Sequence, residues 1–213
     1  MIYVEKGAPP ASLERNKSGW LGELRQARRE KNTVNFNKVQ NKYKSNAVKK
    51  GLVSAFSGKC AYCESVVGVV GFGHIEHFRP KCRYLSLTYE WSNLLLSCER
   101  CNSGAHKGTL FPGVLSGGPI INPCVDDPGQ HLEFLYDSKL SLAYVRALTS
   151  RGGLSVEIFG LNSRPELMKA RSSLIKKLLL LRVYASTDPK AAALLDEAKS
   201  SGEPYLAWVR KLL

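Results

Sequence analysis

Apolar positions fall into three regimes along the chain. From Trp20 to Glu30, Leu21, Leu24 and Ala27 alternate with Arg25, Arg28 and Arg29, which predicts a basic, weakly amphipathic helix. Ser12 before Leu13-Glu14-Arg15 marks where that helix begins, and Asn32-Thr33 interrupts it. Phe36, Val39 and Tyr43 then recur at i, i+3 and i+7, a helical spacing. Ser45-Asn46 predicts a cap for a further turn that buries Val48, Leu52 and Phe56. Lys38, Lys42, Lys44, Lys49 and Lys50 line the outer face of this region, either as a solvated surface or as phosphate contacts.

The middle of the chain changes period. Gly73-His74-Ile75-Glu76-His77-Phe78 is short, β-prone and stopped by Pro80, and 91–97 is a second short apolar run. A short helix opens near Cys101, so the order reads strand, loop, strand or turn, helix. Gly68, Gly71 and Gly73 lack the Gly-Lys-Ser/Thr and helix context of a phosphate loop and read as a hairpin loop before the first strand. The last regime begins with the Gly-, Pro- and Asp-rich stretch 115–129, an ordered loop or boundary in which Asp126 and Asp127 serve turns. A hairpin follows, 132–136 with 140–144, turning at Asp137-Ser138-Lys139. Ser163-Arg164-Pro165-Glu166 has the form of a capping box before a stripe of Leu167, Ala170, Leu174, Leu178 and Leu181. Asp188-Pro189 restarts a helix through Ala198, and 204–213 is a last amphipathic helix with Leu206, Trp208, Val209 and Leu212. The stripe is wider than one core face needs, so it is either core or a partner surface.

Composition adds two constraints. The 213 residues are 44% hydrophobic, enough for a packed core in one elaborated domain or two small ones. The net charge of +13 favours a polyanionic partner, nucleic acid first. The opening residues lack a long apolar run, and Leu178 to Leu181 is too short to span a bilayer, which predicts a cytoplasmic protein without a membrane segment.

The chemistry concentrates between Cys60 and Pro112. Cys60/Cys63 and Cys98/Cys101 are two Cys-x-x-Cys knuckles, which together supply the four thiolates that tetrahedral Zn²⁺ prefers. The gap of 34 residues between Cys63 and Cys98 exceeds that of a zinc ribbon, so a folded segment lies between the knuckles. Inside it, Glu76 beside His77 offers a hard metal ligand and a proton acceptor together. His74 shares a strand face with Glu76 and reads as structural more readily than as a ligand, as does His131. Cys82 and Cys124 read as ordinary reduced cysteines.

At these residues the chain resembles an HNH endonuclease of the ββα-metal class in zinc-stapled form. More narrowly, CAYCE, HIEHFRPK, WSNLLLSCERCN, KGTLFP and INPCVDDPGQHLEF resemble the HNH component of the Septu antiphage system (PtuB) and its retron-associated relatives. The resemblance is strong over 60–136 and extends more weakly through both helical flanks. It implies that His77 is the general base, and that Asn93 orients the loop and the base. Glu76, an Asp in many relatives, and Asn102 would hold Mg²⁺ or Mn²⁺. His106 and Lys107 fall where relatives place His or Lys, and with Arg79 and Lys81 they are candidate phosphate contacts. It also implies a partner ATPase (PtuA) of the Septu or retron type.

The expectation is therefore an α+β, mainly helical protein. A basic helical region spans 1–58, a zinc-stapled ββα-metal (HNH) unit 59–113, and a loop, hairpin and helical region 114–213. Its expected activity is metal-dependent hydrolysis of DNA or tRNA. The alternatives are a non-catalytic zinc-stapled binding module and an autonomous restriction-type nuclease.

Overall fold

The computed structural model describes residues 1–68 and 73–213. Three helices precede the central segment: α1 (Ala11–Arg29), α2 (Thr33–Val39) and α3 (Asn46–Ala55). The side chain of Asn32 accepts from Asn35 N at 3.0 Å, and Ser45 Oγ accepts from Val48 N at 3.3 Å. Each short helix thus has one of its orphan N–H groups satisfied at its start. Leu13, Leu24 and Ala27 of α1 face the core, as do Val48, Leu52 and Phe56, in keeping with their spacing.

The central segment forms β1 (His74–His77), β2 (Leu94–Ser97) and the single turn α4 (Glu99–Asn102). The strands are antiparallel, with Glu76 opposite Leu95 and His77 opposite Leu94. Every residue of β2 is buried, so this strand is the floor on which the knuckles and the site are built. Gly73 precedes β1 where a Cβ would lie 2.9 Å from the Leu96 and Val67 side chains, which accounts for a glycine there. The predicted hairpin loop through Gly71 lies outside the described residues.

Beyond residue 113 the chain forms β3 (Leu132–Asp137) and β4 (Leu142–Ala147), a separate antiparallel pair with Phe134 opposite Val145. The second strand starts later than its alternation predicts. Asp137 Oδ1 accepts from Lys139 N and Leu140 N at 2.8 and 3.0 Å, which lengthens the turn and leaves Leu140 exposed. In the preceding loop Asp126 holds Arg151 (3.0 Å to Nη1) and Asn122 N (2.8 Å), so it is a structural carboxylate. Four helices complete this half: α5 (Ser150–Ile158), α6 (Pro165–Tyr184), α7 (Pro189–Glu197) and α8 (Leu206–Leu212).

Two details of these helices differ from the pattern read along the chain. The capping box does not form: Arg164 is the N-cap of α6, and Pro165 at the first helical position has no N–H to satisfy. The inward face of α6 is Leu167, Arg171, Ser172, Ile175 and Leu178, whereas Ala170 is exposed and Leu174 only half-buried. The face is rotated because Arg171 is buried in it. Its guanidinium donates to the carbonyls of Ala143 and Leu161 at 3.0 Å each and lies 4.4 Å from the Trp208 ring centre. Trp208 and Val209 are buried too, and the indole N–H donates to Leu135 O at 3.1 Å. The last helix is therefore core, not a free apolar surface; the exposed apolar residues here are Leu180, Val183, Tyr184 and Leu194.

The molecule is thus mostly helical, with two small sheets among the described residues, and buried residues from all three regions form one hydrophobic cluster. Among the described residues no helix is long and apolar enough to cross a membrane.

Candidate active site and metal centre

The knuckles meet because β2 brings them together. Ala61 N, inside the first knuckle, donates to Leu96 O at 2.8 Å, and two residues later the strand delivers Cys98. Cys98 then caps α4, its Sγ accepting from Cys101 N at 3.4 Å. The sulfurs of Cys60, Cys63, Cys98 and Cys101 all lie within 4.8 Å of one another, and those of Cys63 and Cys98 are 3.8 Å apart. A tetrahedron with Zn–S bonds of about 2.3 Å has S–S edges of about 3.8 Å, so the four residues fit zinc.

Electrostatics agree with that fit. Burial pushes the Cys60 thiol well up, while hydrogen bonds from the Cys101, Cys60 and Cys98 thiols hold Cys63 well below its ordinary value. Four thiolates this close need a cation among them. A second positive charge comes from the far half of the chain: buried Arg164 donates through Nη1 to Cys101 Sγ at 3.3 Å. Burial works against its charge, but the Cys101 and Cys63 thiolates outweigh it and push the guanidinium up. Nothing in the sequence pattern marked Arg164, which reads there as the second residue of a capping box.

At the other end of the same two strands lies the Glu76-His77 pair. His77 is 7% exposed, and its Nε2 donates to Thr88 O at 2.9 Å. A carbonyl can only accept, so the neutral ring carries its proton on Nε2 and leaves Nδ1 as the proton acceptor. Burial, reinforced by the charges of Lys81, Lys107 and Lys44, pushes His77 down to about 4. Asn93 stands where the β1–β2 connection returns to the sheet. Its Oδ1 accepts from Arg79 N at 2.8 Å, and its Nδ2 donates to Arg79 O and Leu87 O at 3.0 and 3.2 Å. That one side chain ties both ends of the connection that carries the Thr88 carbonyl.

Glu76 is 4% exposed and paired with Lys107. Burial pushes its carboxyl up, and Lys107 pulls it part of the way back. Asn102 donates through Nδ2 to His74 Nδ1 at 3.2 Å, and among the described residues no protein group donates to its amide oxygen. His74 and Glu76 alternate onto one face of β1, so Asn102 lies beside the face that carries Glu76. A carboxylate and an amide oxygen are hard donors, a set that fits Mg²⁺ or Mn²⁺.

The other candidates divide. Arg79 is exposed, its guanidinium carbon 5.8 Å from both the Tyr84 and Phe111 ring centres. Lys81 is half-buried over the Tyr43 ring. Lys107 does not reach the surface: it is fully buried, donating to His77 O at 2.9 Å besides its pairing with Glu76, so it braces the pair and is no phosphate contact. His106 is turned toward the far half of the chain, bonded to Ile158 O at 3.1 Å, and His131 is bonded to Thr149 Oγ1 at 2.8 Å. Tyr43, whose spacing marks it only as core, packs against His77.

The comparisons with known proteins point the same way. Residues 60–108 match the model of the family described as HNH endonuclease. The chain is 34% identical over 211 residues to the Septu protein PtuB of Bacillus mycoides (strain KBAB4), covering 86% of this chain and 70% of that protein. It is 34% identical over 125 residues to the Septu protein PtuB of Bacillus thuringiensis, covering 58% of this chain and 44% of that protein. With a thiolate cluster at one end of the β1–β2 pair, a buried Glu-His pair at the other and this identity across most of both chains, the protein belongs to the Septu PtuB family and carries an HNH endonuclease domain.

Proposed function

We propose that this chain hydrolyses nucleic-acid phosphodiester bonds, in DNA or tRNA, as the nuclease effector of an antiphage system that works with a partner ATPase (PtuA). The observation that carries the reading is His77: a buried, neutral imidazole whose Nε2–H is committed to the Thr88 carbonyl, so that Nδ1, without a hydrogen-bond partner among the described residues, is left to take a proton. In the reaction, Nδ1 accepts a proton from water, and the water oxygen forms a bond to phosphorus. The bond to the 3′ oxygen breaks, and that oxygen takes a proton from solvent, leaving 3′-hydroxyl and 5′-phosphate ends. Asn93 holds the connection that keeps the Thr88 carbonyl against the ring. Glu76 and Asn102 would hold a divalent cation, with Lys107 orienting the Glu76 carboxylate. When bound, that ion supplies positive charge that stabilises the leaving oxygen. Of the phosphate contacts read from the sequence, Arg79 and Lys81 are the two left to meet the substrate backbone beside the site.

The test is one incubation of wild type and His77→Ala with plasmid DNA and with total tRNA, with Mg²⁺, with Mn²⁺ and with chelator. Loss of a general base lowers the rate by about 10²–10⁴-fold. Zinc content should not change, because His77 belongs to no thiolate site. Cleavage by pure His77→Ala at the wild-type rate sinks the assignment. The partner is tested by co-expression with the neighbouring ATPase and gel filtration. A protein that stays monomeric beside it and cuts equally well alone is an autonomous nuclease.

A further inference from the structure

The catalytic imidazole is held from two sides, and only one of them lies within residues 60–108. Thr88 O takes Nε2 at 2.9 Å. The second side is Tyr43, in the turn between α2 and α3. Its ring stands perpendicular to the imidazole, 85° between planes and 4.6 Å between centres. Tyr43 is 4% exposed, and the Lys81 ammonium sits 5.2 Å from its ring centre. One aromatic side chain therefore touches both the proton acceptor and a candidate phosphate-binding cation.

Its own position is fixed. Tyr89, the residue after Thr88, donates its hydroxyl to Val39 O at 2.7 Å. That bond ties the end of α2 to the same stretch of backbone that holds Nε2. Trp20 of α1 packs against the Tyr89 ring at 5.6 Å. The helical layer before the central unit is thus anchored to the catalytic connection at the point where Tyr43 projects into it. A perpendicular aromatic contact resists rotation of the imidazole about its χ2, and a cation over an aromatic face is held without using any of its three N–H donors. Lys81 then keeps those donors for an anion.

We propose that Tyr43 is a positioning residue of the nuclease site, whose ring sets the spacing between the His77 imidazole and the Lys81 ammonium. The inference rests on the reading of His77 as the base. The ring carries the role and the hydroxyl does not, which separates two substitutions. Tyr43→Phe keeps the ring and should cleave within about twofold of wild type. Tyr43→Leu keeps apolar bulk without a ring. Its kcat should fall roughly tenfold, the loss expected when one aromatic contact orienting the base is removed, and its KM should rise as Lys81 loses its support.

The experiment measures kcat and KM on plasmid DNA and on total tRNA for wild type, both variants and His77→Ala, with zinc content and melting temperature as fold controls. Wild-type constants in folded, zinc-loaded Tyr43→Leu overturn the proposal, and so does a defect in Tyr43→Phe equal to that in Tyr43→Leu. If the leucine variant does not fold, the imidazole protons decide. Assigned by their absence in His77→Ala, they should carry a ring-current shift from the Tyr43 ring in wild type and in Tyr43→Phe. Unshifted protons overturn the proposal independently of any kinetics. Active His77→Ala would remove the base itself and this inference with it, whereas inactive His77→Ala beside unimpaired Tyr43→Leu removes only the role given to Tyr43.

Discussion

Replacing Arg164 by Met should loosen zinc without touching any of its ligands. The guanidinium lies 3.3 Å from Cys101 Sγ, a separation at which two unit charges attract by about 5 kcal/mol at an effective dielectric of about 20. Arg164 is also buried, so desolvation returns part of that. A hydrogen bond to a charged partner is worth about 1.5–3 kcal/mol net, which corresponds to roughly a 10–150-fold change in an equilibrium constant. An independent scale agrees, since loss of a side chain supporting metal ligands costs about 10–100-fold in affinity. Methionine keeps most of the stem volume, so the cavity contribution is small. The assay is competition with a chromogenic chelator, read both as an apparent zinc affinity and as a release rate, with thermal melts alongside. Arg164→Met should lose zinc about 10–100-fold more readily, with Arg164→Lys intermediate, because it keeps the charge but not the planar fork. If Arg164→Met holds zinc within twofold of wild type and melts at the same temperature, the guanidinium is not a counter-charge to the cluster.

Cys98→Ser should lose zinc and unfold or aggregate the central unit, because assembly of the site and folding are linked; elemental analysis and far-ultraviolet circular dichroism check it. Trp208→Ala removes a buried ring packed on Phe134 and Arg171 and should cost about 3–5 kcal/mol in a denaturant titration; a cost below about 1 kcal/mol would place α8 outside the core. Burial pushes the Cys124 thiol up to about 11 from 9.0, so the folded state holds a proton that the unfolded chain releases. That contribution is complete below pH 9 and lost as pH rises toward 11, about 1.4 kcal/mol of it by pH 10. Cys124→Ala should lack this alkaline loss, and identical denaturation midpoints for both proteins across pH 8–10 would refute it.

Local signals were legible where one residue type answers one local need. The knuckle spacing, the Asn32 and Ser45 caps and the buried Val48, Leu52 and Phe56 face could all be read along the chain, because each depends on neighbours within a few positions. The Glu76-His77 pair and Asn93 were visible as chemistry in a short motif, though the Thr88 carbonyl that sets the His77 tautomer has no side-chain signature. The readings that failed were decided by distant partners. Ser163 lost its capping role because Arg164 is drawn to Cys101, and the α6 stripe rotated because Arg171 satisfies carbonyls of Ala143 and Leu161. Lys107 looked like a surface cation until Glu76 and the His77 carbonyl buried it. Tyr43 could be read as apolar but not as a neighbour of His77, since no periodicity within a helix encodes a contact across 34 positions of sequence.

The wrapping of the central unit has a consequence for the order in which the protein is made. Tyr62, in the first knuckle, stacks on Phe159 at 3.9 Å, Glu64 accepts from Ala207 N at 3.2 Å, and Cys101 waits for Arg164. A ribosome that has released Cys101, the last cysteine of the cluster, must still add more than a hundred residues before Ala207 appears. At about 5–20 residues per second that is about 5–20 s during which the knuckles, the Glu-His pair and the Tyr43 turn exist without their outer shell. The nascent central unit is therefore expected to stay loosely folded until α5, α6 and α8 dock on it, so the Glu76-His77 pair reaches its buried arrangement only after most of these residues have left the ribosome.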